Sequence, residues 1–361
     1  RGVHSWGCAL PEVRTRRGAH SPRCVLVVVV PVSVPRSGHR NGPTCRATGL
    51  GSFLVRPAPL MLLLADGEPD VERRVRIRRW VRTSGQPLVI ALGGASGVGK
   101  STVAALLAKT LGSRGAKVGL LDADIYGPSI PTMFDMEGAR PLSIQVNGKS
   151  MMEPIENYGV KVLSIGFFTQ PDQAVVWRGP MAAKALNQMI FDAAWGALDF
   201  LLIDLPPGTG DIHLSIVQSL PLTGAVVVST PQNVALADAK KGIAMFQQDS
   251  INVPVLGIVE NMSYFTPEEL PDNKYYIFGK EGVKGLAEQL NIDLLGEIPL
   301  VQSVREAADI GRPAVLQGAT DIAISLTNLA KKVVEKLEKR NSEKDKTKVV
   351  ETSNTAGCST K

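Results

Sequence analysis

The stretch Gly94-Ala95-Ser96-Gly97-Val98-Gly99-Lys100-Ser101 matches the full G-x-x-x-x-G-K-S pattern of a phosphate-binding loop. An apolar run, Pro87 to Leu92, precedes it, and an Ala-rich stretch, Thr102 to Leu111, follows it. This order predicts a strand, a glycine loop and a helix, in which backbone N–H groups and the helix N-terminus bind phosphate oxygens. The sequence therefore predicts a nucleotide site formed by Gly94, Ala95, Ser96, Gly97, Val98, Gly99, Lys100, Ser101 and Thr102.

Two side chains of this loop add chemistry that the backbone does not supply. We expect the Lys100 ammonium to reach the β- and γ-phosphates, which makes it a candidate catalytic residue. We expect the Ser101 hydroxyl to be a ligand of Mg²⁺. ATP and Mg²⁺ are therefore the predicted cofactors. A glycine-rich string can also be an ordinary structural turn, but the strand and helix patterns on either side favour the nucleotide site.

Two later apolar runs each end in aspartate. Val118–Leu121 is followed by Asp122 and Asp124, and Phe200–Ile203 is followed by Asp204. Because the carboxyl ends of parallel strands face the ligand crevice of an open sheet, these carboxylates are expected near the loop. We predict that Asp204 holds Mg²⁺, directly or through water, and that Asp122 or Asp124 orients the attacking water or a second metal-bound water. For each aspartate the alternative is a helix cap.

The chain after the loop alternates strand and helix patterns. Strands are predicted at Leu88–Leu92, Val118–Leu121, Val160–Ile165, Phe200–Ile203, Gly224–Ser229, Val255–Val259 and Leu294–Glu297. Helices are predicted at Ser101–Leu111, Met181–Ala194, Asp211–Leu220, Val234–Asp249, Gly282–Leu290, Val301–Ala308 and Asp321–Lys339. The run Ala225–Val228 shows no polar alternation, which is typical of a strand buried on both faces. The sequence therefore predicts an α/β fold with a doubly wound, mostly parallel sheet.

Charge divides the chain into a basic front segment and a mildly acidic body. Residues 1–88 hold 15 Arg, no Lys and five acidic residues, which leaves 25 basic and 29 acidic residues for the rest. The whole-chain charge of +6 therefore does not indicate a nucleic-acid-binding body. We predict an Arg/Pro/Gly-rich, poorly ordered segment at 1–85, an ATPase domain at 86–340 and a charged, flexible tail at 341–361.

The apolar runs of the front segment are too short for a membrane span, which needs about 20 apolar residues. We therefore predict a cytoplasmic protein with no membrane span and no nucleic-acid partner. The Arg-rich, acid-poor start is also typical of an organelle transit peptide, so the mitochondrial matrix is the alternative location.

Seven motifs of the body, which follow one another in the family's order, resemble those of the Mrp-type ATPases, the iron–sulfur cluster carriers of the MinD-like branch of P-loop NTPases. The resemblance covers residues from about Lys117 to Arg340. Its motifs are Leu120–Ser129, Trp177–Met181, Ile203–Asp211, Ser229–Gln232 with Ala237-Asp238, Glu260–Ser263, Ile277–Gly279 and Leu295–Pro299. The resemblance implies a homodimer with ATP near the subunit interface, Asp124 in the hydrolytic switch, Asp204 at Mg²⁺ and Asn261 at the nucleotide base. It also implies that a [4Fe-4S] cluster is carried to apoproteins.

Ala95 departs from that family pattern. Most members of the branch have K-G-G-V-G-K-S, in which the first Lys crosses the dimer interface to the partner's phosphates. A positioned cation of this kind accelerates phosphoryl transfer by orders of magnitude, so slow hydrolysis is expected here. The segment from Arg78 to Ala105 is instead similar to the loop of 2-phosphoglycerate-kinase-type enzymes, which leaves a small-molecule kinase as an alternative function.

The cysteines form a second departure. Cluster-carrying members usually place a C-x-x-C pair shortly after the N-M-S motif, whereas Pro267 and Leu270 stand at those positions here. The four cysteines lie outside the body and make no recognisable ligand set: Cys8, Cys24, Cys45 and Cys358. The [4Fe-4S] cluster is therefore expected by resemblance alone. A MinD-like, ATP-dependent dimerising switch or scaffold without a cluster is the alternative.

Overall fold

The computed structural model describes residues 87–168, 179–210, 213–214, 216–217, 220–314 and 320–343. The strands in these ranges are β1 Leu88–Gly94, β2 Val118–Asp122, β3 Ser143–Val146, β4 Lys149–Met152, β5 Ile155–Asn157, β6 Val160–Ser164, β7 Phe200–Asp204, β8 Gly224–Ser229, β9 Val255–Phe265 and β10 Leu294–Leu300. The α-helices are α1 Lys100–Ser113, α2 Ile130–Met133, α3 Gly179–Phe191, α4 Asn233–Gln247, α5 Gly282–Leu290, α6 Gln302–Asp309 and α7 Asp321–Glu343.

Eight of these strands form one sheet in the order β10-β9-β8-β1-β7-β2-β6-β5. Every pairing in it is parallel except that of the short edge strand β5 with β6. Strands β3 and β4 form a separate antiparallel hairpin. The predicted α/β fold with a doubly wound, mostly parallel sheet is therefore confirmed.

The central strands are apolar on both faces because helices cover both faces. Along β1, Leu88, Ile90 and Leu92 belong to one buried cluster, and Val89 and Ala91 belong to the other. Helices α1 and α7 contribute to the first cluster, and α3, α4 and α5 contribute to the second. Successive side chains of a strand point to opposite faces, so a strand between two helical layers needs an unbroken apolar run.

The differences from the predicted elements have local causes. Strand β9 continues to Phe265, six residues beyond the predicted end, because it pairs with β10 up to Phe265, and Phe265 also exchanges two backbone hydrogen bonds of 2.8 Å with Tyr275. The short elements β3, β4, β5 and α2 were not predicted, since three or four residues are too few to establish a period. The predicted helix 211–220 lies only partly within the described residues, and α7 runs to Glu343.

The strand order brings the predicted site together. Strand β1 lies between β8 and β7, and β7 pairs with β2, so the loop after β1 lies at the same sheet edge as the carboxyl ends of its two neighbours and of β2. Asp122 and Asp204 are directly opposite each other in the β2–β7 register. Within the described ranges, no helix has the length and hydropathy that a membrane crossing requires.

Candidate nucleotide site

The phosphate loop is packed tightly against strands β8 and β9. A Cβ on Gly94 would lie 2.2 Å from the carbonyl oxygen of Val228 on β8. Gly99 begins α1 with a φ of 81°, and a Cβ there would lie 2.4 Å from Nδ2 of Asn261 on β9. Glycine is needed at both positions, because another residue would displace the backbone or adopt an unfavourable φ. The loop is thereby held close to the sheet, at the N-terminus of a 14-residue helix.

Lys100 is buried, with 6% of its surface exposed, and its ammonium donates a 2.8 Å hydrogen bond to the carbonyl oxygen of Ala95. Burial lowers the pKa of Lys100, whereas the negative charges of Asp204 and Asp124 act to raise it. The ammonium is therefore directed across its own loop, in a site that already contains two carboxylates.

Asp204 ends β7 as a fully buried carboxylate, and neither of its oxygens has a hydrogen-bond partner of normal geometry. Burial raises its pKa to about 7, while the nearby Ser101 hydroxyl and the charge of Lys100 act to lower it. A buried, unpaired carboxylate is unfavourable unless a cation or proton accompanies it. Hard oxygen ligands of this kind suit Mg²⁺, so Asp204 and Ser101 fit the predicted metal site.

Asp122 is also fully buried, but its oxygens are engaged. It accepts hydrogen bonds from the Ser164 hydroxyl at 2.9 Å, the Asp124 N–H at 3.2 Å and the Ile130 N–H at 3.4 Å. Burial raises its pKa well above the usual range, and the charge of Asp204 adds to this. The arrangement fixes the Asp122 side chain and connects it to the loop that begins at Asp124.

Asp124 shapes the loop that follows β2. The side chain is half-buried, and its Oδ1 accepts hydrogen bonds from the N–H groups of Tyr126 at 3.2 Å and Gly127 at 3.3 Å. An aspartate that bonds to the backbone two residues later stabilises a tight turn. Any movement of the Asp124 carboxylate is therefore coupled to the turn at Tyr126 and Gly127.

Asn261 reaches the site from β9, two strands away from β1. Its side-chain Nδ2 donates a 2.8 Å hydrogen bond to the carbonyl oxygen of Val98, inside the phosphate loop. The predicted contact of Asn261 with a nucleotide base stays a prediction. The bond to Val98 was not predicted, because the two residues are 163 positions apart.

His213 is a buried residue that sequence reasoning assigned to no site. It is 2% exposed, and neither ring nitrogen has a hydrogen-bond partner of normal geometry. Burial lowers its pKa to about 4, the carbonyls of Pro206 and Gly210 act to raise it, and the charge of Lys100 lowers it further. Its place shortly after the Pro206–Gly210 loop was the available signal, but a lone histidine in a helical pattern more often indicates packing.

The expected thiol positions lie in the segment after the end of β9. Pro267 is half-buried and Leu270 is 48% exposed. Among the described residues, no group of three or more His, Cys, Asp or Glu side chains could hold a metal ion. The four cysteines lie outside those residues, as do Trp177 and Arg178 of the family motif.

A G-x-x-x-x-G-K-S loop between a central parallel strand and a helix, with aspartates at the ends of the adjacent strand β7 and of the next strand β2, defines a P-loop NTPase of the MinD-like type. Comparison with known proteins agrees. The family described as ParA, NUBPL iron-transfer P-loop NTPase, matches residues 86–335, and the chain belongs to this family. The resemblance to Mrp-type ATPases of the MinD-like branch is thereby confirmed.

Named relatives extend this result. The chain is 49% identical over 248 residues to an iron-sulfur cluster carrier protein of Synechocystis. The alignment covers 68% of this chain and 69% of the relative. It is 41% identical over 303 residues to mouse iron-sulfur cluster transfer protein NUBPL, and this alignment covers 81% of this chain and 90% of the mouse protein.

Two solved structures show the same fold. A nucleotide-binding protein from Archaeoglobus fulgidus in complex with ADP is 38% identical, with a TM-score of 0.56, over 67% of this chain and 92% of that chain. The cell division ATPase MinD of Pyrococcus furiosus is 23% identical, with a TM-score of 0.50, over 69% of this chain and 99% of that chain. The second likeness concerns the fold alone.

Proposed function

We propose that this chain binds and hydrolyses Mg·ATP and uses the cycle to load or release a [4Fe-4S] cluster for apoproteins. The observation that carries the ATPase part is the buried pair at the loop. Lys100 and Asp204 lie close enough for their charges to shift each other's pKa, and both Asp204 oxygens are unpartnered. A cation-binding carboxylate beside a phosphate-binding ammonium is the charge arrangement that Mg·ATP requires.

Each residue of the site has a role in this proposal. The N–H groups of the loop and the Lys100 ammonium bind the phosphates, and Ser101 and Asp204 hold Mg²⁺. When bound, Mg²⁺ neutralises charge on the phosphate oxygens during transfer. Asp124, which is half-buried, orients the attacking water, while the fully hydrogen-bonded Asp122 holds the Asp124 segment in place.

The dimer is part of the proposal. Family membership supports a homodimer with ATP near its interface, but Ala95 offers no cation to the partner's phosphates. We therefore expect hydrolysis to be slow relative to members with Lys at this position. The cytoplasm is the proposed location, with the mitochondrial matrix as the alternative.

The cluster is the cargo, and its transfer is proposed on the names of the relatives, iron-sulfur cluster carrier and transfer proteins. The described residues contain no thiol, so Cys358 and the three cysteines of the front segment are the available soft ligands. Pro267 and Leu270 favour the second candidate, an ATP-dependent dimerising scaffold that carries no cluster.

One pair of measurements on the full chain tests both parts. Phosphate release from Mg·ATP tests the ATPase, and anaerobic reconstitution with iron and sulfide, followed by the visible spectrum and iron content, tests the cargo. Hydrolysis together with a cluster that is lost in Cys358→Ala supports the carrier and makes the tail thiol a ligand. Hydrolysis without a cluster in either protein supports the scaffold, and absence of hydrolysis contradicts both.

A further inference from the structure

Asn261 connects the phosphate loop to a strand that is not adjacent to it. Strand β9 is separated from β1 by β8, yet the Asn261 amide donates to the Val98 carbonyl oxygen at 2.8 Å. Asn261 is 7% exposed and Val98 is 3% exposed, so water does not compete for this bond. A carbonyl oxygen can only accept, which requires the nitrogen side of the amide to face it.

This bond sets the direction of one peptide of the loop. In a trans peptide, the carbonyl of one residue and the N–H of the next point in opposite directions. With the Val98 carbonyl held by Asn261, the Gly99 N–H is turned away from β9, to the side where a phosphate-binding loop presents its N–H groups. Gly99 starts α1, so this N–H is one of those at the helix N-terminus that lack an intrahelical partner.

The Asn261 side chain is itself supported by its neighbours on β9. The Glu260 carboxylate accepts a 2.9 Å hydrogen bond from the N–H of Val283 in α5, and the Ser263 hydroxyl donates a 3.1 Å hydrogen bond to the carbonyl of Ile298 on β10. Met262 has a φ of 55°, a local irregularity in the strand next to Asn261. The amide therefore extends from a strand that is fixed on both of its sides.

We propose that Asn261 is a positioning residue of the phosphate loop, which fixes the Val98–Gly99 peptide in its phosphate-binding orientation before any nucleotide arrives. This inference rests on the proposed nucleotide binding. Orienting the phosphate loop differs from contacting the nucleotide base in one measurable respect. A residue that only reads the base affects ATP and GTP unequally, whereas one that orients the loop affects the binding of every nucleoside triphosphate.

The test uses the full chain carrying Asn261→Ala or Asn261→Leu, with Ser263→Ala as the matched control. Leu has nearly the shape of Asn but no donor and no charge, so Asn261→Leu breaks the bond without leaving a cavity or repelling the phosphates. Ser263→Ala removes a buried hydrogen bond from the same strand but leaves the loop contact intact. Amide hydrogen exchange of peptides covering 94–101 is measured without nucleotide, and the dissociation constants of Mg·ATP and Mg·GTP are measured by calorimetry.

We expect both Asn261 variants to exchange loop amides faster and to bind ATP and GTP about tenfold more weakly, which corresponds to the loss of one buried hydrogen bond. Ser263→Ala should alter exchange in β9 and β10 alone. Unchanged exchange at the loop overturns the proposal, as does weakening for ATP alone. If the wild-type chain binds no nucleotide, the proposed function fails, and the exchange measurement still decides whether Asn261 holds the loop.

Discussion

The nucleotide site and the loop Thr266–Lys280 have opposite physical characters. At the site, Lys100, Asp122 and Asp204 are buried ionisable groups, each placed by the end of a central strand or the start of α1. In the loop, Leu270, Tyr275 and Ile277 are exposed apolar residues. Few substitutions are tolerated at a buried ionisable residue, because each buried polar group left without a partner costs free energy. An exposed loop residue can be replaced with little effect on stability.

The loop has its own modest organisation. Lys274 Nζ lies 4.0 Å from the ring centroid of Tyr264, and Lys280 Nζ lies 5.3 Å from that of Tyr276. The two rings meet edge to face at 6.4 Å. Cation–π contacts like those of the two lysines contribute about 0.5 to 1 kcal/mol each at exposed sites. The fold therefore constrains the nucleotide site strongly and the loop that carries the expected thiol positions weakly.

Replacing Lys100 should produce the largest effect. We expect Lys100→Ala to lower ATP hydrolysis by about a thousandfold, because no other cation of the described loop faces the phosphates. Lys109→Ala is the matched control. Lys109 is a second buried lysine of α1, but its ammonium donates to the Tyr158 carbonyl at 2.8 Å, away from the loop. Steady-state phosphate release measures both, and an equal loss in the two variants would show that helix stability, not phosphate contact, is responsible.

Asp204 should have the next largest effect. Asn lacks the charge that holds Mg²⁺, so we expect Asp204→Asn to lower hydrolysis by about a hundredfold and to raise the Mg²⁺ concentration needed for half-maximal rate. The variant should unfold at higher denaturant concentration than the wild type without Mg²⁺, because it removes an unpaired buried charge. Unchanged Mg²⁺ dependence would remove Asp204 from the metal site.

The loop can be tested by restoring the thiols. Combining Pro267→Cys with Leu270→Cys supplies two thiols per subunit and four per dimer, the number that a [4Fe-4S] cluster requires. In a Cys358→Ala background we expect several-fold more iron bound after anaerobic reconstitution than in the background alone. Glu268→Cys with Glu269→Cys adds as many thiols at adjacent positions and is the control. Equal iron in the two pairs would mean that thiol number, not loop geometry, governs binding.

The smallest expected effect concerns the dependence of stability on pH. The folded-state pKa of Asp204 is raised from 3.8 to about 7, so between these values the folded state keeps a proton that the unfolded state has lost. Its contribution to the free energy of unfolding therefore falls as pH rises through this window. The pKa of His213 is lowered from 6.5 to about 4, so its contribution rises with pH between about 4 and 6.5.

Replacing Asp204 or His213 should remove the contribution of that residue to the pH dependence of stability and leave the contribution of the other. We compare the change in the free energy of unfolding from about pH 4.5 to about pH 6.5 in each variant with the same change in the wild type. This change should be more positive by about 1 to 2 kcal/mol in Asp204→Asn and more negative by about 1 to 2 kcal/mol in His213→Gln. Urea denaturation at both pH values, without nucleotide or Mg²⁺, gives these differences. Parallel pH profiles for the wild type and His213→Gln would show that the imidazole titrates normally in the folded protein.

The sequence alone identified the phosphate loop, the strands that end in Asp122 and Asp204, and the alternation of apolar strands with helices. These features are local, because the spacing of glycines and the period of apolar residues depend on neighbours along the chain. The family followed from the same motifs. The missed elements, such as the β3–β4 hairpin, have strands of only four residues, which is too short for a period to identify them.

The hydrogen bonding of each polar group of the site depends on the packing of the whole chain. Asp122 and Asp204 have the same sequence context, an aspartate after an apolar strand, yet one accepts three hydrogen bonds and the other none. The bond from Asn261 to Val98 and the burial of His213 likewise depend on chain segments that are remote in sequence. Hydrogen-bond partners and desolvation are properties of the packed molecule, and a sequence period records neither.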